Sequence, residues 1–145
     1  MSNPYSVTID EASLARVREA LDGLISRARE VGYETAGQVG NELLHEAIRG
    51  DDGYPTVPKA PAPLGGNLRS SGSAEVFFDG QEPVLQVAYN TPYAAAIHEG
   101  LAHGRPVRHW SEPGSGAKFL ENRIIGNRGF WVNLWVSKII QRLGL

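Results

Sequence analysis

Residues 51–72 constrain the fold more than any other stretch of this chain. They read Asp-Asp-Gly-Tyr-Pro-Thr-Val-Pro-Lys-Ala-Pro-Ala-Pro-Leu-Gly-Gly-Asn-Leu-Arg-Ser-Ser-Gly and hold four prolines. Proline removes a backbone donor and fixes φ, while glycine leaves the backbone loose, so neither a helical nor a strand period survives there. Regular elements must therefore form on either side. The segment itself is expected as an extended loop or inter-subunit arm inside one domain spanning 1–145. Its residues 55–70 are expected to order only against neighbouring subunits, because they have few internal hydrogen bonds to make.

Upstream, Leu14, Val17, Leu21, Leu24, Ala28 and Val31 recur at three- and four-residue steps. That spacing puts them on one stripe of an amphipathic helix. Thr8-Ile9-Asp10-Glu11 offers a capping box, with Asp10 as a competing N-cap, and Gly32 is a plausible stop. A second helix is expected from about Glu34 to Ile48, with Val39, Leu43, Leu44 and Ile48 inward and its end at Arg49-Gly50.

Downstream, Ser73–Phe78 and Val84–Asn90 are β-prone runs separated by Asp79-Gly80-Gln81-Glu82-Pro83, which predicts a hairpin with a turn of several residues. Leu85, Val87 and Tyr89 alternate with Val84, Gln86 and Ala88, so one face of the hairpin should lie on the helices, with Tyr5–Ile9 a possible third strand. Thr91-Pro92 predicts a short helix through His98-Glu99 to Gly100, with threonine as its cap. After a loop over Leu101–Gly116, the last helical region carries Phe119, Leu120, Ile124, Phe130, Trp131, Leu134, Trp135, Ile139, Ile140 and Leu143, bent near Gly126 and Gly129. The expected fold class is α+β: N-terminal amphipathic helices and a C-terminal helix packed on a small antiparallel sheet, with a long Pro/Gly-rich loop.

Composition excludes several functions. With 145 residues, 41% of them apolar, the chain can bury a core without help from a metal or disulfide, and it has no cysteine for thiol chemistry. No apolar run approaches the roughly 18 residues of a membrane span, and the first residues look like neither a leader nor an anchor. A net charge of −2 argues against broad phosphate neutralisation. Residues 1–82 hold 13 acidic and 7 basic side chains, whereas residues 83–145 hold 3 and 7. Opposite charge in the two parts would orient the stacking of subunits on other assemblies.

His98-Glu99-Gly100-Leu101-Ala102-His103 resembles a zinc-hydrolase signature, but its histidines stand five apart. Five residues turn a helix by about 500°, which leaves the two rings on different sides. A loop could still gather His98, His103 and His109 around a metal, so a metal-dependent hydrolase using His98, Glu99 and His103 stays as one alternative. A cytoplasmic adaptor or binding module is the other. No nucleophile elbow or phosphate-binding glycine loop is present in the sequence. No catalytic residue, metal ligand or cofactor site is therefore expected, and the chain is read as not an enzyme. Trp131 and Trp135, four apart on the last helix, could stack a partner or belong to the core.

Three elements in fixed order carry a resemblance. Leu64-Gly65-Gly66-Asn67-Leu68-Arg69-Ser70-Ser71 closes the Pro-rich stretch. After the hairpin, Thr91-Pro92-Tyr93-Ala94 leads to His98-Glu99-Gly100. Gly116-Ala117-Lys118-Phe119-Leu120-Glu121 then opens the C-terminal helix. In this order the chain resembles the small neck proteins of tailed bacteriophages, called minor capsid, head–tail connector or tail-completion proteins. It departs from many members at Gly66, where they have threonine. The resemblance implies a virion structural protein at the head–tail junction, assembled in the host cytoplasm. It would form a homo-oligomeric ring of six or twelve copies, between a portal-side adaptor or head-closure ring and a tail terminator or tail tube. Genomic DNA would touch the lumen only transiently, and no membrane is involved. The candidate interface residues are Gly65, Gly66, Asn67, Leu68, Arg69, Tyr93, His98, Glu99, Lys118 and Phe119. Arg69 could make a bidentate contact to a carboxylate on a neighbour, and His98 should pack under the sheet edge with Glu99 paired or capping.

Overall fold

In a computed structural model, which describes residues 6–59, 67–110 and 112–145, the residues upstream of the Pro-rich stretch form one helix, not two. Helix α1 runs Glu11–Arg49, 39 residues and about 58 Å at 1.5 Å per residue. Asp10 is its N-cap, its carboxylate accepting the Ser13 N–H at 2.6 Å, so the box based on Thr8 is not used. Gly50 ends the helix at φ 71°, with its N–H donated to the Glu46 carbonyl, as Arg49-Gly50 suggested.

Gly32 is no stop, because a different need places glycine there. A Cβ at Gly32 would stand 3.1 Å from Pro83 Cγ and 3.5 Å from Ile139 Cδ1, and the Gly32 carbonyl accepts the Trp135 indole N–H at 3.0 Å. The helix continues because Thr35, Ala36, Val39 and Leu43 extend its buried face.

Strands β1 (Gly72–Asp79) and β2 (Glu82–Tyr89) pair antiparallel with Asp79 opposite Glu82, so the connection is the two-residue turn Gly80-Gln81, tighter than expected. Gly80 takes φ 62°, as such a turn requires. The tip rests on α1 where Arg29 donates to Gln81 Oε1 at 2.9 Å and Tyr33 stacks on Phe78 at 4.8 Å. Val7 and Ile9 are exposed, and among the described residues no third strand forms at Ser6–Ile9; Tyr5 lies outside them.

Helices α2 (Asn67–Ser70) and α3 (Ala94–His98) are single turns, and β3 (Leu101–Ala102) with β4 (Arg105–Pro106) make a second small hairpin. Thr91 does not cap α3: its hydroxyl is buried without a partner among the described residues, and only its carbonyl receives the Ala94 N–H. The last helical region divides into α4 (Glu121–Gly126) and α5 (Arg128–Leu143). The break falls at Asn127, just after Gly126, where a Cβ would lie 2.8 Å from the Tyr54 ring. α5 packs back on the second half of α1, so Trp131, Leu134 and Trp135 join Val39, Leu43, Leu85 and Val87 in one core cluster. Both tryptophans are thus core. The fold is α+β, as expected.

Packing of the C-terminal helices against α1 and the turn after it pairs some of the chain's charges. Lys138 pairs with Glu42 at 3.2 Å, Arg142 with Glu34 at 3.8 Å, and Arg123 with Asp52 at 2.7 Å. At these three places, opposite charges far apart in sequence meet inside the protomer.

Glycines on α1 yield a paired test. A Cβ on Gly40 would stand 2.5 Å from Ala74 Cβ and 2.9 Å from Leu85 Cδ1, whereas one on Gly37 meets nothing within 4 Å. Gly37→Ala is expected to raise stability by about 0.5–1 kcal/mol through helix propensity. Gly40→Ala gains the same propensity but overpacks the helix–hairpin contact at about 1–3 kcal/mol, so its urea midpoint should fall. Equal midpoints for the two variants would contradict this packing.

Candidate interaction site

The three sequence elements that carry the resemblance converge on one ring, Phe119. Phe119 is 1% exposed, and it shares a cluster with Ala47, Val57, Leu68, Ala94 and Ile97. Tyr89 meets it edge-on at 5.4 Å and His98 at 4.9 Å. Leu68 is fully buried. Leu68 and Phe119 therefore serve the protomer's own core and offer no side-chain surface to a neighbour, which corrects their expected role. Tyr93 is partly buried against the same cluster, and Asn67 is exposed. Gly65 and Gly66 lie outside the described residues.

Arg69 finds its carboxylate within the chain. Its Nη2 donates to Glu112 Oε2, while Nε donates to the Val57 carbonyl at 2.8 Å. The contact is neither bidentate nor to another subunit, because the loop carrying Glu112 folds back on residues 55–59. Thr56 N–H donates to the Gly114 carbonyl at 2.9 Å and Val57 N–H to the Ala47 carbonyl at 2.8 Å. Both described ends of the 55–70 stretch are thus packed: Thr56, Val57 and Pro58 on one side, Leu68 on the other. These contacts are made within the protomer, at the two described ends of the stretch; 60–66 lies outside the described residues. The Lys59 ammonium, 2.8 Å from Glu112, and the Arg69 guanidinium hold the Glu112 carboxyl below its usual range against desolvation.

His98, Glu99, Lys118 and Glu121 form a second ionic group on the rim of the cluster. Lys118 sits at φ 58°, a conformation few side chains adopt, and its N–H donates to the His98 carbonyl at 2.7 Å. This turn delays α4 until Glu121 and aims the ammonium at Glu99 (2.7 Å) and Glu121 (2.9 Å). Lys118, with His98, lowers the Glu99 carboxyl, and Glu99 with Glu121 raises Lys118 in return. His98 Nε2 accepts the Glu121 N–H at 3.2 Å, so its own proton belongs on Nδ1, facing Glu99 at 3.4 Å. His98 packs on Phe119, not under the sheet edge.

The donors close enough to share a cation are His98, Glu99 and Glu121, and Lys118 already supplies positive charge to both carboxylates. The grouping of His98, Glu99 and His103 is not assembled: His103 stands at φ 52° in the exposed β3–β4 turn, outside that set among the described residues. Dialysis against a chelator is expected to leave the thermal melt unmoved. A zinc-dependent melt abolished by His98→Ala would show a metal there.

Sequence reasoning missed the buried Arg123. It is 0% exposed, and its five N–H donors meet Asp52 Oδ2 (2.7 Å), Asp52 Oδ1 (3.0 Å) and the carbonyls of Pro55 (3.0 Å), Phe119 (2.7 Å) and Tyr54 (3.2 Å). The available signal was an arginine on the apolar stripe Phe119, Leu120, Ile124, with Asp51-Asp52 just past the end of α1. Burial pushes the Asp52 carboxyl up, but Arg123 and the Tyr54 N–H more than offset this and leave it below its ordinary value. Beside the Phe119 cluster, Pro58, Lys59, Ile97, Ala102, Val107, His109 and Trp110 line a mostly apolar cleft of about 200 Å³.

Comparison with family models, curated proteins and solved structures finds no match to this chain.

Proposed function

We propose that this chain is a structural subunit of a tailed-phage virion, assembling into a ring at the neck that joins the DNA-filled head to the tail and lets DNA pass. The observation that carries the reading is surface the protomer leaves uncovered. Apolar side chains lie uncovered on two helices: Val17, Leu21 and Ile25 on α1, and Phe130, Val132, Val136 and Ile140 on α5, are each between 44% and 54% exposed. Apolar faces of this extent mark subunit contacts. The order of the three sequence elements, which meet around Phe119, supports the neck in particular.

In this reading the protein works by shape and does no chemistry. The Phe119 node and Arg123 fix the protomer's form, and α1 and α5 meet other subunits. The portal-side and tail-side rings of the neck are the partners, and the lumen holds DNA weakly, in keeping with the absence of net positive charge. Mass photometry and electron microscopy of the full chain, alone and with the neighbouring neck proteins, test the reading. Closed rings are expected, with little affinity of the free subunit for duplex DNA. A protein that stays monomeric with both neighbours present would overturn it.

A further inference from the structure

Among the described residues, nothing covers the first half of α1. Every residue from Leu14 to Arg27 is exposed, including Leu14, Val17, Leu21, Leu24 and Ile25 at 40–52% each. The stripe Leu14, Val17, Leu21, Leu24, Ala28, Val31 advances in strictly alternating steps of three and four. That is the 3.5-residue repeat of a coiled-coil seam, which calls for another helix as its cover. The seam is continuous with packing already present. Its last position, Val31, is buried, and beyond it the same helix is covered by the hairpin and α5 of its own chain.

We propose that the bare seam is covered by α1 of other copies of this chain, parallel and in register, as a small bundle standing apart from the lumen of the ring proposed above. With Leu14, Leu21 and Ala28 at a positions and Val17, Leu24 and Val31 at d positions, the flanking residues are Ser13, Ala20 and Arg27 on one side and Glu11, Arg18 and Ile25 on the other. Parallel pairing sets Ser13 opposite Arg18 and Ala20 opposite Ile25 of the next copy, so no like charges meet and the apolar contact widens. An antiparallel pair with matched layers, Leu14 over Leu24 and Val17 over Leu21, brings Arg18 against Arg18 of the second copy, which opposes that orientation.

Two further features favour more than two copies. Leucine at a with β-branched residues at d shifts parallel coiled coils towards higher order than the dimer, and valine fills two of the three d positions here. Five half-exposed side chains also fall well short of covering the roughly 1,200 Å² of a stable pairwise interface, so the seam holds only together with other contacts between copies. Helices alongside a rotation axis keep one direction, as the parallel arrangement requires.

The chain has no cysteine, which makes cross-linking decisive. In the full chain, Leu14→Cys is expected to form disulfide-linked pairs under mild oxidation, because a-position residues meet their own counterparts only in a parallel register. Asp22→Cys, off the seam, should not. Leu21→Glu should raise the concentration needed for self-association at least tenfold with an unchanged circular dichroism spectrum, since Leu21 is exposed in the protomer. Unchanged association of Leu21→Glu, or absence of Leu14→Cys cross-links where the parent associates, or cross-linking only in a Leu14→Cys/Leu24→Cys double variant, would overturn the proposal. So would a parent protein that is monomeric throughout, alone and with its neighbours. Rings that persist in Leu21→Glu sink the seam and leave the ring. A seam that pairs in a protein that closes no ring does the reverse.

Discussion

Arg123→Met is expected to cost about 3–5 kcal/mol of folding stability, the usual penalty for removing one partner of a buried ion pair. The penalty arises less from the arginine than from what it abandons. Asp52 keeps its charge with a side chain only 10% exposed, and the carbonyls of Tyr54, Pro55 and Phe119 lose their donor together. Arg123→Lys should recover little, because one ammonium cannot span five acceptors arranged around a planar fork.

The pH dependence adds a signature with a definite sign. In the parent, the folded-state pKa of Asp52 is lowered, so its contribution is present above the unfolded value near 3.8 and is lost as pH falls through the lower folded value. In Arg123→Met the lowering influence of Arg123 is gone, so Asp52 takes up its proton more readily and the variant loses less than the parent as pH falls. The stability gap between the two proteins should therefore narrow from pH 7 towards pH 3. Chemical denaturation at several pH values measures it, and a gap that is constant or widens in acid would contradict the buried pair.

Phe119→Ala should cost a comparable amount, about 3–5 kcal/mol, by the combined loss of transfer energy and the cavity left behind. Against a typical total of roughly 5–15 kcal/mol, that leaves the domain near its threshold. The residue holds three separately encoded segments at once: Leu68 from α2, Tyr89 from the end of β2, and His98 from α3. Its loss should loosen all three, so hydrogen exchange in the variant should quicken at Leu68–Ser71 and Ala94–Glu99 together, ahead of α1. Phe119→Leu keeps most of the volume and should lose much less. A small effect of Phe119→Ala, or loosening confined to α4, would show that the segments are held independently.

Both residues illustrate which part of this protein is local information. Apolar spacing in Leu14–Val31 and Trp131–Leu143, alternation in Val84–Tyr89 and the Arg49-Gly50 end were enough to anticipate helices, hairpin and boundary, because each follows from contacts within one element. Gly32 misled for a definable reason. In an isolated helix glycine is a weakness, and only the approach of Pro83 and Ile139 shows why it sits mid-helix. The Gly80-Gln81 turn was blurred by Pro83, which stands inside β2 opposite Phe78. The candidate interface residues were legible as a set but not as roles. Leu68 and Phe119 turned inward, and Arg69 found Glu112 43 residues away. Asp52 and Arg123, 71 residues apart, were invisible, since an ion pair across that separation leaves no periodic trace. The sequence by itself thus determined the helical or strand character of the long segments and the α+β class through short-range periodicity. The tertiary structure alone decided which polar groups are buried together and which apolar stripe is left bare, because both depend on which distant segments come to lie side by side.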